Sequence, residues 1–248
     1  MNRIKLAAAI LLSSSAVAAN ATVITLNFEG IAPFPNNSNV LIEGYYNGGT
    51  ASNGASGPNY GVGFSAGATV LCLNSTTDTC SNTSKGGGGV AGSDKAAMYF
   101  PSVNPYMNVA AGFDTGFSMA YTNPFAQSEG IAIYDGLNGT GNLLASLALG
   151  PTTNGADGAC VAYGSPNYCP FASASIGFIG IAKSVLFTGA ANFSTYDDFT
   201  FGSTTVGGVP AVPEPESWAL MLGGLVVAGI AARKRLRDDT SSACSDIE

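Results

Sequence analysis

Histidine is absent from the whole chain. That absence removes Ser-His-Asp and Cys-His machinery, His-ligated zinc, and the side chain most often used for proton transfer near neutral pH. Any catalysis would have to rest on carboxylates, tyrosine or lysine, and glycosidases show that two carboxyl groups can suffice. Positive charge is almost as scarce. Between residues 22 and 211 there is no arginine, and Lys85, Lys95 and Lys183 are the only cations against ten carboxylates. Nucleic-acid binding draws its affinity from clustered Lys and Arg that displace counterions, so that partner class is excluded. No helical periodicity of any length runs through this stretch either.

What is present concentrates at the two ends. Arg3 and Lys5 precede an apolar stretch from Leu6 to Leu12, and small residues then lead to Ala19-Asn20-Ala21. A positive start, a short apolar core and an A-x-A site predict a signal peptide over residues 1–21, cut between Ala21 and Thr22. At the other end, Pro213-Glu214-Pro215 is stiff, since each proline fixes φ and removes a backbone donor. Trp218 to Ala232 then run without a charge, and Arg233, Lys234, Arg235 and Arg237 follow. A basic cluster beside an apolar run stays cytoplasmic, and Trp218 suits the membrane interface. At ~1.5 Å per residue the run spans only about 22 Å, short of a ~30 Å hydrocarbon core, so insertion in the inner membrane should be transient.

Val212-Pro213-Glu214-Pro215, Trp218, a Gly/Ala-rich helix and a basic stop, in that order, resemble the PEP-CTERM sorting signal. The resemblance implies a protein exported by a Gram-negative bacterium that makes extracellular polysaccharide. It further implies processing by an exosortase, a membrane transpeptidase-like cysteine enzyme. This chain departs from the pattern in one respect: residues 238–248, including Cys244, continue past the basic cluster.

The segment between the ends, residues 22–205, suits one all-β domain, with 206–212 as linker to a sorting segment at 213–237. Glycine is scattered throughout, and short apolar alternations separate turn clusters. Strands are predicted over 23–28, 40–46, 60–65, 69–73, 113–121, from Ile131, over 143–149, 174–181, 184–188 and 199–204. The fold expected is an antiparallel two-sheet β-sandwich, jelly-roll-like, flanked by the signal peptide and the transmembrane sorting helix. Cys72 with Cys80 and Cys160 with Cys169 should form disulfides in an oxidising compartment, each clipping a loop rich in Asn, Ser, Gly and Pro. Gly86 to Gly89 reads as an exposed loop, and the run from Asp135 to Asn142 as a turn.

Asn27-Phe28-Glu29-Gly30, Ile133-Tyr134-Asp135-Gly136 and Tyr196-Asp197-Asp198-Phe199 also resemble, in short strings, carbohydrate-binding modules of secreted enzymes. In such modules the first and last strands pair, which would bring Glu29 to Asp197 and Asp198. Converging carboxylates favour a hard cation with oxygen ligands, and the resemblance implies a structural Ca2+ there. Glycan contact would fall to tyrosines in or beside loops: Tyr45, Tyr46, Tyr60, Tyr106, Tyr163 and Tyr168. Glu43, Asp114, Glu129 and Asp157 are scattered, with no sign that two face one cleft. The expectation is a non-catalytic protein, structural or glycan-binding in an exopolysaccharide or biofilm matrix. The alternative is a carboxylate-dependent glycan-cleaving enzyme on the same scaffold.

Overall fold

The structure, a computed structural model, describes residues 23–35, 38–77, 80, 95–125, 128–152, 160–163, 168–169, 171–189, 192, 194–208 and 224–225. The predicted leader, the Gly86–Gly89 run, Asp157, the tail and all of the sorting segment except 224–225 lie outside these residues. The chain divides into two units, residues 1–210 and 211–248. Of the second, Gly224 and Leu225 are helical. Among the described residues no helix is long and apolar enough to cross a membrane.

The first unit is built of strands: β1 (Ile24–Leu26), β2 (Val40–Leu41), β3 (Val62–Phe64), β4 (Thr69–Cys72), β5 (Ala96–Tyr99) and β6 (Tyr106–Phe113). They continue with β7 (Gly116–Thr122), β8 (Glu129–Tyr134), β9 (Leu143–Leu149), β10 (Ala172–Gly177), β11 (Ala182–Thr188) and β12 (Thr195–Phe201). All described pairings are antiparallel and fall into two sheets. One runs β10-β7-β12-β5-β4-β2, with β1 also on β12; the other runs β3-β6-β11-β8-β9. The predicted two-sheet sandwich is therefore the fold, and its first and last strands pair, Leu26 opposite Phe199 and Ile24 opposite Phe201.

Aromatic rings from both sheets fill the space between them. Phe187 of β11 stacks on Phe199 of β12 at 5.2 Å between centroids and 19° between planes, and Phe100 meets Phe187 at 4.9 Å. Each such ring buries a large apolar area and adds ~0.5–1.5 kcal/mol from its geometry. A smaller apolar group, Leu71, Leu73 and Ala97 with Tyr99 and Phe171 beside it, forms a separate cluster.

Two predicted strands need correction, and two observed ones were not predicted. The single strand expected at 113–121 is two strands, because Thr115 takes a left-handed φ of 68° and breaks the pleat after Asp114. Of the two, β7 is buried throughout: Ser118 donates to the Ser203 carbonyl, and the Thr122 and Thr152 hydroxyls stand at hydrogen-bond distance. The strand expected at 40–46 stops at Leu41, since Glu43 adopts φ 46° and Tyr45 N–H turns back to the Ile42 carbonyl. β5 and most of β6 fall where no strand was predicted.

Both cysteine pairs stand at bonding separation, Cys72–Cys80 with Cα atoms 6.1 Å apart and Cys160–Cys169 with 5.2 Å. The segment from Asp135 to Asn142 is the predicted turn. The Asp135 carboxylate accepts from the Asn142 side-chain amide at 2.8 Å and its backbone N–H at 2.7 Å, which together pull that carboxyl below the usual range.

A candidate glycan cleft at one end of the sandwich

Between Ala182↔Phe113 and Ser184↔Asn108, residues 109–112 of β6 stand against the single residue Lys183 of β11. A strand carrying that much extra chain bends out of its sheet. Gly112 makes the bend possible: it sits at φ 81°, and a Cβ there would meet Ile181 Cγ2 at 2.4 Å. The bend opens a cleft of about 300 Å³ at the sandwich edge. Ile24 of β1 and Phe201 with Gly202 at the end of β12 form one wall. Val109, Ala111, Phe113 and Ile181 form the other, and Tyr60 and Asp114 also line it.

Tyr60 is held in place from behind. Its N–H donates to the Tyr46 carbonyl at 2.9 Å, and its ring stacks on that of Tyr46 at 6.2 Å and 15°. Tyr46 is itself fixed, since its hydroxyl accepts from Phe28 N–H at 2.9 Å, and burial pushes its ionisation far above the usual tyrosine value. Tyr60 remains 40% exposed. Of the six tyrosines named as glycan candidates it is the one that combines such exposure with a place in this cleft. Tyr45, Tyr46 and Tyr168 are core residues, and Tyr106 and Tyr163 are half-buried outside it. Asp114 is half-buried, and its Oδ1 accepts from the Thr115 hydroxyl at 3.2 Å.

Of the remaining acids, Glu43 is exposed in a turn, and Glu129 lies at the far end of the sandwich. Glu129 is 5% exposed, and its Oε2 accepts from the Ser194 hydroxyl and, at 3.3 Å, from the Tyr196 hydroxyl. Its Oε1 is buried with no hydrogen-bond partner among the described residues. Burial raises the carboxyl above its ordinary value, the two hydroxyl donors offsetting part of the rise. Tyr121, Tyr168 and Tyr196 are raised as well, first by burial and then by the nearby Glu129 charge.

Glu29 and the adjacent pair Asp197 and Asp198 all lie along the first sheet. Asp197 and Asp198 are fully buried where the register of β12 on β7 shifts and where its other flank passes from β5 to β1. Glu29 Oε1 accepts from Lys95 N–H at 2.9 Å and Ala96 N–H at 3.1 Å, at the start of β5. Asp197 Oδ1 accepts from Asp198 N–H at 2.8 Å. Among the described residues, no three His, Cys, Asp or Glu side chains assemble as a metal-holding group. A cation here would rest on Asp197 and Asp198 together with backbone carbonyls.

Residues 211–235 match the PEP-CTERM protein-sorting motif. The chain thus carries the signal of an exported protein sorted through the membrane. No curated protein sequence matches the chain. Among solved structures, a family 6 carbohydrate-binding module of Clostridium stercorarium in complex with cellobiose overlaps 56% of this chain and 84% of its own, at 15% identity and a TM-score of 0.32. A module of Cellvibrio mixtus lichenase 5A in complex with cellotriose overlaps 50% and 89%, at 5% identity and 0.30. The Agl-KA catalytic domain overlaps 62% of this chain and 27% of its own, at 14% identity and 0.35. Overlaps of this size place no ligand and no reaction on this chain.

Proposed function

We propose that the chain is an exported, non-catalytic glycan-binding protein. It leaves the cytoplasm through its leader, pauses in the inner membrane, and is processed at its PEP-CTERM segment by an exosortase-type enzyme. Its destination is the surface or the exopolysaccharide matrix of a Gram-negative cell. One observation carries the binding reading: an exposed tyrosine ring and a carboxylate converge in an apolar cleft. A ring offers a sugar its CH face, and a carboxylate accepts from hydroxyls, which are the few placed polar groups such a pocket needs. The same cleft argues against cleavage. Both geometries of glycoside hydrolysis use two carboxyl groups within about 5–9.5 Å, and the lining contains only Asp114. At the β12 flank, two adjacent carboxylates at zero exposure favour a structural Ca2+ shared with backbone oxygens.

The test is a glycan array followed by calorimetry on the full-length chain in mild detergent. Binding without release of reducing ends is expected, and Tyr60→Ala should weaken it at least about tenfold, as for a central aromatic contact. Binding that ignores Tyr60→Ala, or turnover abolished by Asp114→Asn, would overturn the reading.

A further inference from the structure

We propose that this cleft selects an ammonium-bearing sugar, a glucosamine-type unit of an amino-sugar polymer, over neutral and uronate units; the inference rests on the glycan-binding reading above. Asp114 is the one carboxylate lining the cleft, and no lysine or arginine lines it. Of the described lysines, Lys95 stands over the Phe34 ring at 5.2 Å. Lys183 is exposed on β11 opposite residues 109–112, and neither lysine is among the residues that line the cleft. A ligand entering the cleft therefore meets a negative charge and no positive one from the residues that line it.

The walls sharpen that preference. Ile24, Val109, Phe113, Ile181 and Phe201 replace water with apolar surface, so a charge pair formed against Asp114 is less screened than in solution. Tyr60 works in the same direction, because the face of an aromatic ring attracts a cation as well as a CH face. An ammonium group on a sugar ring thus gains twice, from the carboxylate and from the ring. An N-acetylated unit keeps the ring contact and loses the ion pair. A uronate brings a second carboxylate to the first and is repelled.

Calorimetry on the full-length chain in mild detergent at about pH 6, where a sugar amine is protonated, separates the outcomes. The probes are glucosamine oligomers, their fully N-acetylated counterparts, and oligogalacturonate. Glucosamine oligomers should bind at least about tenfold tighter than the acetylated ones, a difference of ~1.4 kcal/mol, with oligogalacturonate weakest. Asp114→Asn should bring the ratio close to one. Raising salt from about 20 mM to about 0.5 M should shrink the wild-type ratio, a readout that holds even if the variant does not fold. A ratio indifferent to Asp114→Asn, or to salt, overturns the proposal, as does uronate binding equal to the rest. Tyr60-dependent binding without amine preference would leave the glycan-binding reading standing and remove this one. No binding to any of the three would remove this proposal and leave the glycan-binding reading to the array.

Discussion

Replacing Glu129 with Gln should make the stability of this domain respond differently to pH, and the direction follows from the burial of one carboxyl. Folding holds that group above its unfolded value of ~4.3. A group raised in this way contributes its full stability below the unfolded value and loses it as pH climbs through the folded one. Above that point the native state must carry a carboxylate whose Oε1 has no hydrogen-bond partner among the described residues. An unsatisfied buried acceptor costs ~1–3 kcal/mol. Ser194 and Tyr196 donate to Oε2 and return part of that, which puts the net penalty at about 1–2 kcal/mol. Gln keeps an acceptor for those hydroxyls and carries no charge. It also places an amide donor at the Oε1 position, a cost that does not vary with pH.

The quantity to read is therefore the slope of the difference. The melting temperature of Glu129→Gln minus that of the wild type should rise by roughly 2–8 °C between about pH 4 and pH 8, at ~2–4 °C per kcal/mol for a domain of this size. Other acids titrate equally in both proteins and cancel. Tyr121, Tyr168 and Tyr196 are all raised, so they stay neutral across the range. Scanning calorimetry at four or five pH values suffices. A difference that is flat in pH, or that falls as pH rises, would refute the reasoning, because it would mean that Glu129 pays no penalty for ionising where it sits.

Three further expectations concern the scaffold and its delivery. Reduction of Cys72–Cys80 or Cys160–Cys169 should destabilise the domain by ~2–3 kcal/mol per loop; equal melts with and without reductant would show that neither clip constrains the chain. Chelation should lower the melting temperature if a cation sits at Asp197 and Asp198, and an unchanged melt in EDTA counts against one. Intact mass of the exported product should place its amino terminus at Thr22 and its carboxyl end within or before the sorting segment. A product still carrying residues 1–21 would contradict the leader, and one that retains all of 211–248 would contradict processing.

The sandwich was legible where side chains alternate. Leu143, Ala145, Leu147 and Leu149 mark β9 from end to end, and the pairing of β1 with β12 is the one that the resemblance to carbohydrate-binding modules implied. β5 was not legible: Ala96-Ala97-Met98-Tyr99 shows no period of two and is fully covered except at its end. A signal for β6 lies in Met107 and Val109, buried two apart. The same parity could have found Glu129, which shares a face with Ile131 and Ile133 and so had to point where they point, into the sandwich. The cleft is a different case. Tyr60 and Asp114 each stood out alone, but the pocket draws on segments around residues 24, 60, 109–114, 181 and 201. No local pattern reports such long-range convergence, and the register shift that opens it is a property of two strands together.

That topology also separates the two titratable features. β12 enters beside Glu129, with Ser194 and Tyr196 on the carboxyl, and leaves at the cleft, with Phe201 and Gly202 in its wall. At ~3.3 Å per residue the two ends lie roughly 15–20 Å apart. The charge on Glu129 therefore adds little to the field at Asp114, and ligand preference should follow Asp114 while stability follows Glu129. Since the chain has no histidine and the cleft lining no lysine or arginine, any pH dependence of binding between about pH 6 and pH 8 belongs to the sugar's own amine. A pH profile that moved with the ligand's amine and ignored Glu129→Gln is what this arrangement requires.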